Sequence, residues 1–596
     1  MVNTKEKDQM ETTWNLDYLY KSFEDPLYAK EMSELPQVIR QCADAIARKE
    51  NTTAWLEEVM DSMSEAMLLQ SRLGGYASLR LAADASCTEA LSAFSQLEPI
   101  GNDFALTLSA LVRALGDISN LDQLIGASEK LKAQDFAIHR LARHAAHLIP
   151  ESIESWILKM RISGGNAFSQ LRDLLDAGHT VSYRGEEIPL SAVRGKAHDP
   201  DPRVRKDAYE AEIAGYDKIS LPMSYCLNSI KMEARTLSEA QKYPSVLDMT
   251  LDQSNMDQET LDAMLSAIQA YLPDFRRYLR AKAKLLGHEN GLPFYDLFAP
   301  VGECVQTYTL EESKALLMKE LGKFSPEMAE FIGIAFDNQW MDLLPREGKS
   351  GGAFCAGTYP NARSSILSNF QGSLSDVSTL AHELGHAWHN HCMQGLPISM
   401  TDAPMPLAET ASIFNETMLK HQLMATASPE ERLALLEGDL MEATQVVVDI
   451  YSRFLFEKEV IDTRPHHAMT VEELKDAMLR AQNASYGDGL DPEVRHPFMW
   501  ACKSHYYSAD LNFYNFPYAF GFLFGLGVFA KYLKEGADFV PQYNAMLRRC
   551  GSDTVYQVAK SVGIDVRDEA FWRSSLDTIQ KSIDTFEFLV NEKLAQ

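Results

Sequence analysis

The chain has 596 residues, 46% of them hydrophobic and 23% charged, with no Pro-, Ser- or Gln-rich tract, which suits a globular protein with two or three cores. Its formal charge of -28 argues against nucleic acid or an anionic membrane as a partner. The eight cysteines stand singly, at positions 42, 87, 226, 304, 355, 392, 502 and 550, a scatter that fits a reducing cytoplasm better than a disulfide framework.

The polar amino terminus, MVNTKEKDQMETTW, lacks the apolar run of a signal peptide, so a cytoplasmic location is expected. Residues 1 to about 190 alternate amphipathic helical patterns with short polar connections, broken by YRGEEIP at 183–189, which reads as a hairpin. The run Asp199-Pro200-Asp201-Pro202 is the strongest boundary signal and divides 1–198 from 199–596. Helices resume at Arg203 and continue to about Asp342. Residues 351–372 are rich in Gly, Ser and β-branched or aromatic residues, and Ser365-Ile366-Leu367-Ser368-Asn369-Phe370 reads as a short strand. No internal repeat is visible.

The next segment reads as one helix and holds His382-Glu383-Leu384-Gly385-His386. Side chains four apart on a helix stack, so both imidazoles can reach one metal ion while Glu383 is placed to serve a water. Asp376 or Ser375 offers a cap. Val377, Leu380, Ala381, Leu384 and Trp388 form an apolar stripe, with His382, His386 and His389 on another side, and Gly395 and Pro397 stop the helix. Gly385 costs roughly 1 kcal/mol against Ala in mid-helix. Close approach by a second backbone carrying the missing ligand would offset that.

Asp402, Glu409 and Glu416 are the candidate third ligands. Glu409, one turn into a helix that follows Pro404 and Pro406, is favoured, with Glu416 orienting an imidazole from behind. The longer pattern HExxHxxGxxH fails at Trp388 and Cys392, which leaves a two-His-one-Glu site. Residues 516–530 carry no charge but fall short of the roughly 20 residues a membrane span needs. They read as a buried helix begun by Asn515 and Pro517, with Gly521, Gly525 and Gly527 allowing close packing. Trp500, His505, Tyr506, Tyr507, Phe513, Tyr514 and Tyr518 crowd together just before it. Such clusters are usually core, yet a His among phenols can also donate to a developing oxyanion. His496, followed by Pro497, reads as structural.

Residues 380–391, LAHELGHAWHNH, with Ala408-Glu409-Thr410-Ala411-Ser412 and Asn415-Glu416, resemble the oligoendopeptidase F branch of the thimet oligopeptidase family of zinc peptidases. Trp14-Asn15-Leu16-Asp17 and Tyr20 resemble that family's amino-terminal start, and Gly348-Lys349-Ser350-Gly351-Gly352-Ala353 its Gly-rich turn. The resemblance implies a mainly α, two-lobed helical metallopeptidase with a deep central channel and a small antiparallel sheet next to the HExxH helix. It places an oligopeptidase F-type amino-terminal domain in 1–198 and the zinc peptidase domain in 199–596. It also implies one Zn2+ on His382, His386 and Glu409, with Glu383 as general base.

A family His before a Tyr-rich run ending in YAxG is matched by His505, Tyr514 and Tyr518-Ala519-Phe520-Gly521. Phe516 and Pro517 depart from the commoner form and the spacer after His505 is longer, so the oxyanion role is shared between Tyr514 and Tyr518, with Tyr507 open. The strand before the motif helix, here Ser365, Ile366 and Leu367, is expected to hold an extended peptide by main-chain hydrogen bonds. The expected activity is cleavage of internal bonds in short unstructured peptides, with no nucleic-acid or membrane partner and the oligomeric state open. Dipeptidyl carboxypeptidase activity is the sister alternative. A non-catalytic peptide-binding protein with a structural zinc is disfavoured by the intact Glu383, because a closed site has no use for a base. Cys355 and Cys392 lie near the motif, making thiol sensitivity conceivable.

Overall fold

The computed structural model describes residues 11–302, 307–360, 363–508 and 510–595; most of the polar amino terminus and Cys304 lie outside them. The chain forms two compact units, each assembled from three segments. The first comprises Met1–Leu148, Val305–Gln422 and Val528–Val562, the second Ile149–Cys304, Leu423–Gly527 and Gly563–Gln596. The Asp199-Pro200-Asp201-Pro202 run lies inside the second unit. There Asp201 caps the 39-residue helix Pro202–Ala240 and Pro202 fills its first turn. The spatial division and the sequence division at 198/199 therefore cut the chain differently.

In the first unit, helices Pro26–Arg48, Thr53–Ala83 and Thr88–Gly116 bury two apolar clusters. One centres on Trp55, Val59, Leu111 and Leu115, the other on Tyr20, Leu35, Leu73 and Tyr76. Tyr20 packs edge-on against Tyr28 at 5.1 Å and Tyr76 at 5.3 Å, a geometry favoured by the ring quadrupoles. Leu16 and Leu19 join that cluster, so the amino-terminal motif anchors a core. It also reaches a sheet. Asn15 N donates to Gln339 O at 2.9 Å, and Trp14 packs against Phe354 with ring centroids 6.3 Å apart.

That sheet has strands β3 (Met341–Asp342), β4 (Phe354–Thr358) and β5 (Arg363–Leu367), in the order β3-β5-β4, and follows β1 (Thr180–Tyr183) and β2 (Glu186–Pro189) of the second unit. It is mixed rather than antiparallel: β5 runs antiparallel to β4 but parallel to β3. The chain crosses the sheet between 342 and 354 and returns through the β4–β5 hairpin, so its third pass repeats the direction of the first. β5 is thus the central strand, with Ser365, Ile366 and Leu367 fully buried.

In the second unit, β1 and β2 pair as the expected hairpin through Arg184 and Gly185, at φ 52° and 89°. Two consecutive positive φ values match the right-handed twist of the flanking strands. Helix Gln258–Leu285 packs against the carboxyl-terminal helix Glu569–Ala595. The apolar helix runs Phe516–Glu535, of which the part up to Gly527 belongs to this unit. Phe520 and Phe524 stack with centroids 5.6 Å apart, Phe520 meets Trp572 at 5.0 Å, and a Cβ on Gly527 would lie 2.5 Å from the Phe571 ring. By length and composition this stretch resembles a membrane span, yet 67% of its apolar window is buried within the protein.

Candidate active site

Helix Leu374–Cys392 is capped by Ser373, two residues before Ser375 and three before Asp376, the expected caps. Ser373 Oγ accepts from Asp376 N at 3.1 Å and the Asp376 carboxylate accepts from Ser373 N at 2.9 Å, so Asp376 closes a capping box rather than serving as the cap. Val377, Leu380, Ala381, Leu384 and Trp388 are buried as the stripe requires. His389 is buried with them. Its Nε2 lies 3.2 Å from Leu547 O, and burial pushes its pKa down to about 4, so it is a neutral core side chain rather than a third member of the exposed histidine face.

His382 and His386 project one turn apart, and their Nε2 atoms lie 3.3 Å and 3.2 Å from one carboxylate oxygen of Glu409. Among the described residues this is the one group of three or more His, Cys, Asp or Glu side chains able to share an ion; Asp402 is not part of it. Ligand atoms around a tetrahedral zinc at about 2.0–2.1 Å are about 3.3 Å apart, so the donor set fits such an ion. Glu409 ends the turn Met405–Ala408, immediately before helix Thr410–Thr426, and Ser412 Oγ donates to it at 2.7 Å.

Glu416 stands behind, 3.2 Å from His382 Nδ1 and 2.8 Å from Lys420 Nζ. Burial raises the Glu409 carboxyl's pKa, but hydrogen bonds and charge from His382 and His386 outweigh it and hold the group far below its usual range. Burial likewise opposes Glu416. Lys420 and His382 bring it down to about 2. The expected reason for Gly385 holds: a Cβ there would lie 2.6 Å from Ser412 Cα, 2.7 Å from Ala411 C and closer still to the Ala411 oxygen. The two helices meet backbone to backbone just past the third ligand.

Glu383 is 5% exposed, and its Oε2 has no hydrogen-bond partner among the described residues. Burial raises its pKa, His382 and His386 pull it down, and Glu409 and Glu416 push it up again, with a net rise. A carboxylate whose pKa moves toward neutrality is suited to take and return a proton.

In the second unit His505, Tyr514 and Tyr518 gather, with ring centroids 5.6 Å apart for His505–Tyr514 and Tyr514–Tyr518 and 6.1 Å for His505–Tyr518. All three are partly exposed. Burial lowers the His505 pKa to about 4, with Arg453 and Lys503 adding to the effect, so its imidazole is neutral and can donate from one nitrogen. Tyr514 sits in a segment clamped from below. Lys231 Nζ donates to Glu457 at 2.6 Å and Asn512 Oδ1 at 3.0 Å, while Glu457 also accepts from Phe513 N at 3.0 Å and Asn515 Nδ2 at 3.3 Å. Lys231 and Glu457 are fully buried, and Phe513 is held at φ 52°. Sequence reasoning missed this clamp; its signal was an acid at a core position beside Phe454, Phe456 and Val460.

Residues 196–578 match the sequence model of Peptidase family M3. The chain belongs to Peptidase family M3. It is a metallopeptidase of the oligoendopeptidase F branch. It is 24% identical over 597 residues to oligopeptidase PepF of Bacillus subtilis, covering 97% of this chain and 87% of that protein. Chromosomal oligoendopeptidase F of Lactococcus lactis subsp. cremoris is 27% identical over 417 residues, 68% of each chain. The crystal structure of oligoendopeptidase-F from Enterococcus faecium shares the fold, with a TM-score of 0.71 and 19% identity over 95% of this chain and 99% of that one.

Two expectations for this M3 peptidase need correction. Ser365, Ile366 and Leu367 have no free edge, because β5 is paired on both sides; among the described residues it is the outer edge of β4, Phe354–Thr358, that carries no backbone partner. Tyr507 is 3% exposed beneath the Arg172 guanidinium, 5.4 Å from its ring centre, and belongs to the core rather than to a substrate surface. Burial also pushes the Cys355 thiol well up, with the Glu383 charge adding to it, and Cys392 up to about 12. Neither favours the reactive thiolate.

Proposed function

We propose that this M3 peptidase is a zinc-dependent oligoendopeptidase that hydrolyses internal bonds of short unstructured peptides, with Glu383 as general base. The observation that carries the reading is the set of two imidazole nitrogens 3.2–3.3 Å from the Glu409 carboxylate, with the unpartnered buried carboxylate of Glu383 one residue from a ligand. Two His and one Glu leave a fourth position open, as catalytic zinc sites do and closed structural sites do not. Zinc bound there supplies Lewis acidity and lowers the pKa of water from about 16 toward about 7.

This chain's own groups do the rest. Glu416 accepts the His382 Nδ1 proton, which leaves Nε2 unprotonated toward Glu409. Glu383 Oε2 takes the proton of the attacking water and hands it to the departing amine. The free edge of β4 offers main-chain hydrogen bonds that hold a peptide irrespective of its side chains. Neutral His505 with Tyr514 and Tyr518 donates to the oxyanion, an effect worth roughly 3–4 kcal/mol per donor in other peptidases. No acyl-enzyme forms, so no cysteine is needed. The same proposal sets the enzyme in a reducing cytoplasm, in keeping with seven free cysteines among the described residues.

The test is product mapping by mass spectrometry on a mixed peptide library, with chelator and after reloading with zinc or another divalent ion. Internal cuts restored by zinc support the reading. Release of carboxyl-terminal dipeptides alone moves it to the dipeptidyl carboxypeptidase alternative, and cleavage indifferent to the chelator removes the metal from the mechanism.

A further inference from the structure

The second unit holds a cavity of about 370 Å³ whose lining includes none of the metal ligands, Glu383, His505, Tyr514 or Tyr518. It falls within the size range of small-molecule sites. One wall is aromatic: Tyr209 lies 6.5 Å from Phe294 and 5.8 Å from Tyr295, and Phe294 packs on the His496 ring at 5.1 Å. The other end is charged, and one of its charges has no direct partner.

Each acid lining the cavity already has a cation. Asp176 pairs with Arg172 at 3.3 Å, Glu212 with Arg194 at 3.0 Å and Asp449 with Arg453 Nε at 2.7 Å. Arg205 is closed off by Asp296 at 2.8 Å. Lys503 is different. It lines the cavity half-buried, and among the described residues its ammonium makes neither an ion pair nor a hydrogen bond. Burial lowers its pKa, Asp449 draws it back up, and Arg453 and Arg194 push it down again. Beside it lies unused polar capacity. His496 is 1% exposed; its Nε2 stands 3.5 Å from Glu212, while its Nδ1 has no hydrogen-bond partner among the described residues. The buried Tyr486 hydroxyl beside it is turned to Asp449 and Gln445.

Unpartnered buried polar groups are costly, and a half-buried ammonium facing an open volume is relieved by an anion that reaches it. We propose that this cavity binds a small organic anion, with its carboxylate or phosphate on Lys503 and the Arg194 side of the cavity, and its flat or apolar body on the Tyr209–Tyr295 wall. The site is independent of the peptidase reading, and binding rather than turnover tests it.

Calorimetric titration of the full, zinc-loaded chain with benzoate, phenyl phosphate, inorganic phosphate and neutral phenol reads each part of the site. Saturable binding of benzoate or phenyl phosphate is expected, at least tenfold tighter than inorganic phosphate, with none for phenol. Which of the two binds identifies the head group. Lys503→Met should weaken that binding at least tenfold while its melting temperature is unchanged or raised, because an unpaired ammonium has been removed. Lys503→Arg should keep most of the affinity. Absence of binding by both organic anions, inorganic phosphate binding as tightly as phenyl phosphate, or equal affinity in Lys503→Met, as an anion held on the zinc would give, overturns the proposal.

Discussion

Gly385→Ala inserts one methyl between two backbones, and its effect can be worked out from distances. The added carbon would lie 2.6 Å from Ser412 Cα and 2.7 Å from Ala411 C, against about 3.5–4.0 Å for unstrained carbon contacts. Because the neighbours are main-chain atoms, the start of helix Thr410–Thr426 must retreat by about 1 Å. Alanine regains about 1 kcal/mol of helix propensity. Overpacking costs about 1–3 kcal/mol. The net change in stability is therefore small and destabilising, up to about 2 kcal/mol.

The site is affected more than the fold. Glu409 is two residues before Ala411, and metal ligands tolerate only about 0.2 Å of error. Zinc affinity should fall at least about tenfold, and kcat/KM about 100-fold at saturating zinc, the usual cost of a 1 Å misplacement. Chelator competition, a thermal melt and peptide turnover measured on one preparation separate these effects. Gly438→Ala is the control: it lies in helix Pro429–Ala443 with nothing within 4 Å of an added Cβ, so it should be neutral or stabilising. Wild-type zinc affinity and turnover in Gly385→Ala would refute the backbone contact as the device that sets Glu409.

Glu383→Gln should retain zinc and lose most turnover, since an amide cannot accept the proton; near-normal turnover in the metal-loaded variant contradicts the base assignment. Glu409→Ala should lose the metal, whereas Glu416→Ala should weaken it by about 10- to 100-fold, both read by chelator titration; the reverse order would exchange the two roles. Glu457→Gln strands the buried Lys231 ammonium and should cost about 3–5 kcal/mol in urea melts, most of it recovered by adding Lys231→Met. His389 titrates near 4 in the folded protein against about 6.5 unfolded, so the unfolded state takes up the proton first and stability falls as pH drops from about 6.5 to about 4. That shift corresponds to about 3 kcal/mol, and His389→Gln should flatten the melting-temperature profile in that window; an unchanged slope assigns the acid sensitivity elsewhere.

The metal centre was legible because its parts are local. His382 and His386 follow from helical spacing, and a glycine on a helix's inner side announces a close neighbour. What failed was decided from afar. The rank of β5 within its sheet depends on Met341 and Asp342, more than twenty residues upstream and only two residues long, and no alternation in 365–370 reports them. His389 shares a helix with the metal ligands, yet Leu547 settles its burial. Among the clustered aromatics, Arg172 marks Tyr507 as core, and 335 residues separate the two. The Lys231–Glu457 pair spans 226 residues, so each half reads alone only as a charge out of place on an apolar face.

The threading of the chain sets when each unit can exist. The first segment, Met1–Leu148, carries two apolar clusters of its own and can begin to condense as it leaves the ribosome. The first unit nevertheless awaits Val528–Val562, and the second awaits Gly563–Gln596, so neither is complete before those segments have been made. A fragment cut to the family-matched region 196–578 would lack Trp14 against Phe354 and the Asn15 amide on Gln339 O, leaving the sheet beside the motif helix exposed on the side those residues cover. For the cell this makes products that stop short of the segments Val528–Val562 and Gly563–Gln596 poor enzymes and good substrates for degradation.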